Sequence, residues 1–253
     1  MDFIPKDSSV FRSAVDALKE FLPQAQVRVN ADGLRICGMD VSHVGFVDYF
    51  LSAKDCETLV VDGAGLVLGI HTAVLAKVLS NVGSGDKIRI CKTKKADKLT
   101  ISYTNEKVAK KAVYELALID IEAEPFELPS MNYSASIKAK TSDIHSLIKE
   151  VSHFGETATL CLNEDGFHVS TVGDAGKVNL SIENTDEREM SLEGDSVEVS
   201  FGMKYLSAIF KNGAPISSTL SVEFDGNMPL RASFHFGSES YFISYLAPKV
   251  DNE

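Results

Sequence analysis

The sequence predicts an α+β chain of two similar halves, each with two helices packed on antiparallel sheets, and three observations carry that reading. First, the chain repeats itself. Phe11–Asp32 falls on Ile144–Asp165 without a gap, placing Ser13 on Ser146, Phe21 on Phe154, Ala25 on Ala158, Asn30 on Asn163 and Asp32-Gly33 on Asp165-Gly166. His71–Val82 falls likewise on Gly202–Gly213, with Leu75/Leu206 and Asn81/Asn212 identical. Second, four segments space their apolar residues as helices do. Third, between those segments the apolar period drops to two, the mark of strands with one buried face.

Taken in order, the first helix is expected over Ser9–Leu22, burying Phe11, Ala14, Val15, Leu18 and Leu22, with Pro23 as a stop. The second spans His71–Val82, buries Val74, Leu75, Val78 and Leu79, and ends before Gly83. The third starts at a Thr141/Ser142 cap, buries Ile144, Leu147, Ile148 and Val151, and ends near Gly155. The fourth covers Met203–Asn212, burying Met203, Leu206, Ile209 and Phe210 before Gly213 and Pro215. Strands are expected around Val27/Val29, Leu34/Ile36, Ile88/Ile90, Leu99/Ile101/Tyr103, Leu160/Leu162, Val178/Leu180/Ile182, Val197/Val199, Leu220/Val222/Phe224 and Tyr241/Ile243/Tyr245, each alternating with polar neighbours. Asp32-Gly33, Asp165-Gly166 and Asp225-Gly226 sit where strands should reverse.

This divides the chain into an N-terminal domain at 1–118, a connector at 119–133 and a C-terminal domain at 134–253. The connector, IDIEAEPFELPSMNY, is acidic and carries Pro125 and Pro129, which oppose both a helix and a central strand. Phe126 and Leu128 are apolar in this otherwise solvated stretch, more than a bare linker requires.

A 44% apolar and 24% charged composition over 253 residues is that of a globular protein with ample core. No stretch approaches the roughly 20 apolar residues of a membrane span, so no membrane partner is expected. The opening MDFIPKDSSV has no apolar signal core, which predicts residence inside the cell. Cys37, Cys56, Cys91 and Cys161 are far apart and without histidine-rich neighbourhoods; small buried thiols are expected, with no metal and no cofactor.

A net charge of −11 argues at first against a nucleic-acid partner. The four helices, however, carry six cations (Arg12, Lys19, Lys77, Lys149, Lys204 and Lys211) against four carboxylates (Asp16, Glu20, Asp143 and Glu150), so the acidity lies elsewhere. Arg12 and Lys19 share a helical face, as do Lys204 and Lys211, and His145 and Lys149. Ordinary solvated faces would account for any one helix; repetition over four points to a common surface that meets a polyanion.

Enzyme signatures are weak. Asp40, Ser42 and His43 are adjacent in sequence, which points alternate side chains to opposite faces instead of assembling a triad. The glycines of DGAGLVLG miss the dinucleotide-loop spacing, and no nucleophile elbow, Walker lysine, HExxH or calcium loop is present.

MDVSHV (Met39–Val44), the connector's Phe126-Glu127-Leu128-Pro129, SHFG (Ser152–Gly155) and the near-terminal YLAPK (Tyr245–Lys249) resemble the proliferating cell nuclear antigen family of sliding clamps, in order and over essentially the whole chain. The resemblance implies a homotrimer closed into a ring, two similar domains per subunit, and helices lining a hole that encircles duplex DNA without sequence preference. It carries a DNA-facing role over to Arg12, Lys19, Lys77, Lys149, His153 and Lys211, to which the charge count adds Lys204. It pairs a strand at Lys110–Ile119 with one at Lys177–Glu183 between subunits, with Lys110, Tyr114, Leu116, Lys177, Val178 and Leu180 at the contact. It gathers Met39, His43, Val44, Phe46, Phe126, Leu128, Pro129, Pro229, Tyr245, Ala247, Pro248 and Lys249 on a groove for short motifs of a DNA polymerase, a clamp loader, and nuclease or ligase clients.

Two departures qualify the resemblance. Ser13, Ser80 and Ser146 stand where relatives often carry further cations, which predicts a looser grip on DNA. Glu164 stands where many relatives have a modifiable lysine, so ubiquitin cannot be attached there. Nuclear residence is what the resemblance implies, and a viral origin stays open. Two other readings stand beside it: a damage-checkpoint-type clamp subunit, which would not form a homotrimer, and an enzyme of unknown chemistry.

Overall fold

The computed structural model describes residues 1–83, 85–93, 97–105, 109–122, 129–174, 176–185, 188–226 and 228–249. The N-terminal half runs β1 (Asp2–Pro5), α1 (Ser8–Phe21), β2 (Ala25–Val29), β3 (Gly33–Met39), β4 (Gly45–Ser52), a 3-10 turn (Ala53–Asp55), β5 (Cys56–Val60), β6 (Leu66–Ile70), α2 (Thr72–Leu79), β7 (Lys87–Cys91), β8 (Lys98–Asn105) and β9 (Lys110–Ala117). The C-terminal half runs β10 (Ala135–Lys140), α3 (Thr141–Val151), β11 (Thr157–Asn163), β12 (Gly166–Gly173), β13 (Gly176–Ile182), β14 (Glu189–Leu192), β15 (Ser196–Gly202), α4 (Met203–Gly213), β16 (Thr219–Phe224), β17 (Leu230–Phe236) and β18 (Ser240–Leu246). Two compact units result. One comprises Met1–Val41, Val47–Phe126 and Phe236–Phe242; the other comprises Ser42–Phe46, Glu127–His235 and Ile243–Glu253.

In the first unit β1, β5, β7, β8 and β9 form a sheet in the order β5-β1-β7-β8-β9, and a second set runs β4-β3-β2-β6. In the second unit the orders are β13-β12-β11-β15 and β14-β10-β16-β17. Within each unit the two helices pack on one another, α1 with α2 and α3 with α4.

The internal repeat has a physical basis in its turns. Asn30 Oδ1 accepts the amides of Asp32 (3.0 Å) and Gly33 (3.1 Å), and Asn163 Oδ1 accepts those of Asp165 (3.0 Å) and Gly166 (3.2 Å). Each is an Asx turn that satisfies two backbone donors and sets the register of the hairpin beyond it. The identities of Asn, Asp and Gly in the two copies are therefore the chemistry of one turn used twice.

Helix α1 starts one residue earlier than expected, because Asp7 caps it: its carboxylate accepts the amides of Ser9 (2.8 Å) and Val10 (2.9 Å). It buries Phe11, Ala14, Val15, Ala17, Leu18 and Phe21, and Phe11 packs on Phe3 of β1 with ring centroids 5.4 Å apart. Helix α2 is shorter than expected. Its buried stripe is Thr72, Leu75, Ala76, Val78 and Leu79, whereas Val74 is 41% exposed. Thr72 takes the inward place that hydropathy assigned to Val74, because its buried hydroxyl donates to the Leu22 carbonyl just past α1.

Helix α3 is not capped by Thr141 or Ser142. Lys140 occupies the cap position with no side-chain hydrogen bond, and Thr141 is buried, its amide donating to the Ser218 carbonyl (2.9 Å). Leu147 is only half-buried. Helix α4 extends through Gly213, which is buried against the Phe234 ring so closely that a Cβ would strike it. The final strand also departs from expectation. Phe242, Ser244 and Leu246 point inward, and Tyr241, Ile243 and Tyr245 are half-buried, since β18 is apolar on both faces and periodicity could not choose between them. Of the four cysteines only Cys56 is buried, and that burial pushes its thiol up to about 11.

Candidate functional site

The helices carry the candidate DNA-facing cations unequally. In α1, Lys19 pairs with Asp16 at 2.5 Å, and Arg12 donates to the Val82 carbonyl at 2.8 Å, beyond the end of α2. Arg12 thereby ties α1 to the turn that follows α2. Glu20 balances the remaining charge of α1. In α3, Lys149 is exposed beside exposed Glu150, and Asp143 is held by Arg188 at 3.0 Å. His153 is exposed in the turn that follows.

The surplus lies on the repeat-related pair α2 and α4. Lys77 in α2, and Lys204 and Lys211 in α4, are exposed with no carboxylate on either helix. The expectation of one shared bias over four helices narrows accordingly. Lys77, Lys149 and Lys211 occupy last turns, where a cation complements the helix dipole. Ser80 and Ser146 are exposed and Ser13 half-buried.

The candidate contact strands both lie at sheet margins: β9 ends one sheet of the first unit and β13 ends one sheet of the second. On β9, Tyr114 stacks on Tyr103 at 6.1 Å, Lys110 Nζ sits 5.0 Å over the Tyr103 ring, and Leu116 is half-buried. On β13, Val178, Leu180 and Ile182 are half-buried along one face, alternating with exposed Lys177, Asn179 and Ser181. Among the described residues each strand thus has one side without a strand partner, beside a half-buried row that includes Tyr114 and Leu116 or Val178 and Leu180.

For the client groove, the second unit brings together residues from four separate stretches of sequence. The Val44 carbonyl accepts the Ala247 amide (2.9 Å), and the Phe46 and Tyr245 rings lie 6.0 Å apart. Phe46 is 5% exposed and so belongs to the buried core. The Ser200 carbonyl accepts the Lys249 amide (2.8 Å), which fixes the tail carrying the half-buried Ala247 and Pro248. His43 is exposed in a left-handed backbone conformation (φ 56°), a strained geometry for a non-glycine residue.

Pro229 is half-buried, and its carbonyl accepts the Tyr133 hydroxyl (2.9 Å), while Arg231 stands 5.5 Å over the Tyr133 ring. Burial pushes the Tyr133 phenol up to about 12. Tyr133 and Arg231 were not among the residues expected here; an aromatic at the end of the connector was the available signal for the first. Pro129 is exposed. Met39 is half-buried and belongs to the first unit. Phe126 and Leu128 lie outside the described residues. Of the three side chains weighed as a triad, Asp40 is buried, while Ser42 and His43 are exposed. Among the described residues no group of three or more His, Cys, Asp or Glu side chains could hold a metal ion, and no helix is long and apolar enough to cross a membrane.

The family profile of the proliferating cell nuclear antigen N-terminal domain matches residues 4–125, and that of its C-terminal domain matches residues 127–249. The chain belongs to the proliferating cell nuclear antigen family. As a member it is a DNA sliding clamp, a processivity factor of DNA replication and repair that assembles with itself as a trimer and binds DNA and replication or repair partners. The family is one of non-enzymatic clamps.

Proposed function

We propose that this clamp subunit holds DNA loosely through the exposed cations of α2 and α4, with Lys149 and His153 beside them, Arg12 serving chiefly as a brace and Lys19 muted by Asp16. The observation that carries this is the absence of any carboxylate on α2 and α4 in a chain of net charge −11. Closure around the duplex supplies retention, so few contacts suffice, and the acidic remainder discourages adhesion of nucleic acid elsewhere. On this reading β9 and β13 of neighbouring subunits pair through Lys110, Tyr114 and Leu116 against Lys177, Val178 and Leu180. The groove of His43, Val44, Phe46, Pro229, Tyr245, Ala247, Pro248 and Lys249, joined by Met39, Phe126, Leu128 and Pro129, takes short motifs of a polymerase, a clamp loader, and nuclease or ligase clients. The protein itself catalyses nothing, and its site of work is the nucleus.

Replacing Lys77, Lys149 and Lys211 with glutamate tests the DNA-facing assignment. The fold and trimer should persist, while loading onto primed DNA and polymerase processivity fall. The defect should shrink with added salt, because exposed charges are screened over ~8–10 Å near physiological ionic strength. Primer extension equal to that of the unaltered protein would remove these helices from the role.

A further inference from the structure

The first unit contains an open hollow of about 680 Å³ that neither the helices, the contact strands nor the client groove uses. Its floor is the face of β2 and β3, where Arg28 stands directly opposite Arg35 in antiparallel register, and Val67 of β6 stands opposite Arg28 on the other side. Like charges set directly across a sheet repel one another, and only one of the two is neutralised. Arg35 makes a paired fork to Asp48 (2.8 and 2.7 Å), which also accepts from the Tyr241 hydroxyl at 3.4 Å. Arg28 is exposed and has no carboxylate partner among the described residues. A guanidinium left open beside another, on a chain of net charge −11, is an arrangement that an incoming anion would relieve.

The walls add apolar character. Phe50 and Tyr241 pack with ring centroids 5.6 Å apart on one side, and Val67, 58% exposed, forms the other. Gly65 closes one end in a left-handed conformation (φ +120°), where any Cβ would meet the Val29 carbonyl at 2.8 Å, so the loop can lie this close to β2 only with glycine there.

We infer that this hollow is a binding site for an acidic peptide segment of a partner protein, one that sets a carboxylate on Arg28 and an aromatic or aliphatic neighbour against Phe50, Tyr241 and Val67. A peptide fits better than a nucleic-acid strand on charge. The positive spot is one guanidinium wide and is bordered by Asp32, which suits a single carboxylate and repels a run of phosphates.

The test uses the full-length trimer and two labelled probes in fluorescence-anisotropy titrations: a hexapeptide alternating glutamate with phenylalanine, and a short oligothymidylate. The peptide should bind saturably; Arg28→Glu should weaken it by roughly tenfold or more, and Arg28→Lys should retain most of the affinity. Arg28 is exposed on a strand, so Arg28→Glu should leave trimer mass and primer extension unchanged. The inference is overturned by equal peptide affinity in the Arg28→Glu protein, by no saturable peptide binding up to ~1 mM, or by oligothymidylate binding that the same substitution removes instead.

Discussion

Asp55 is a buried carboxylate at the end of a 3-10 turn, and it organises the chain that reaches it from far along the sequence. It accepts from the Ser240 hydroxyl (2.5 Å) and from the amides of Ser238 (2.8 Å) and Glu239 (3.3 Å). Burial alone would push its carboxyl up; the donated hydrogen bonds outweigh that and hold it below the usual carboxylate range. Because the folded value lies below the unfolded one of ~3.9, the stabilisation is complete above that pH and is lost as pH falls through the folded value. Asp55→Asn should therefore lower stability near neutral pH and flatten the fall in stability on acidification, read as urea midpoints from pH 7 to pH 2.5. Parallel acid limbs in the two proteins would place the sensitivity elsewhere. No pattern in the sequence singled out Asp55, because its donors lie some 180 positions away. Asp7, by contrast, was legible in principle: an aspartate directly before Ser8-Ser9 and an apolar stripe is a capping signal, and the helix start was placed past it. Thr141 erred in the other direction, since a capping residue type was committed to the core and hydropathy rates threonine as polar.

Among elements, the four helices and nine of the eighteen described strands could be read from period alone, and their errors share a cause. Where a strand is apolar on both faces, as β18 is, alternation carries no phase; where a helix is as short as α2, one buried hydroxyl can rotate its stripe. The two contact strands alternate in sequence and only their pairing came from family resemblance; their marginal position could not be deduced from sequence, because sheet order depends on pairings between distant segments. Tyr114 is the element-level test of β9. Truncation to alanine removes an aromatic whose burial gives about 1.5–3 kcal/mol per contact, a factor of roughly 10–100 in dissociation at each of the ring's interfaces. Sedimentation should show monomers at low protein concentration, and a fully trimeric Tyr114→Ala protein would rule the edge out. The connector carries its own test. Phe126→Ser combined with Leu128→Ser should abolish calorimetric binding of a client-motif peptide and leave the trimer whole. Retained affinity would put the client site on another surface.

At the scale of the molecule, net charge misleads until it is resolved by element. In a chain at −11 the helical cation surplus is confined to two repeat-related helices, and that confinement was half visible in sequence: the sum over helices was right, its even spread was not. The groove of the second unit was less legible. Val44 meets Ala247 and Phe46 meets Tyr245 through pairings no local pattern encodes, and Phe46, which sequence left between core and groove, is buried.

The two unpaired margins differ in sequence, one bearing Tyr114 and Val113, the other Val178 and Leu180. If they join unlike to unlike, every subunit is a vector with a leading and a trailing end. Growth is then a polymerisation that stops only because the third arrival meets the first, and a subunit dead at one end is a chain terminator. Proline at Val113 in one population and at Asn179 in another should leave each unable to close a ring alone. Mixed together, they should yield a two-subunit species held by a single junction and nothing larger in sedimentation. Rings in that mixture would mean that the junction does not run through these strands.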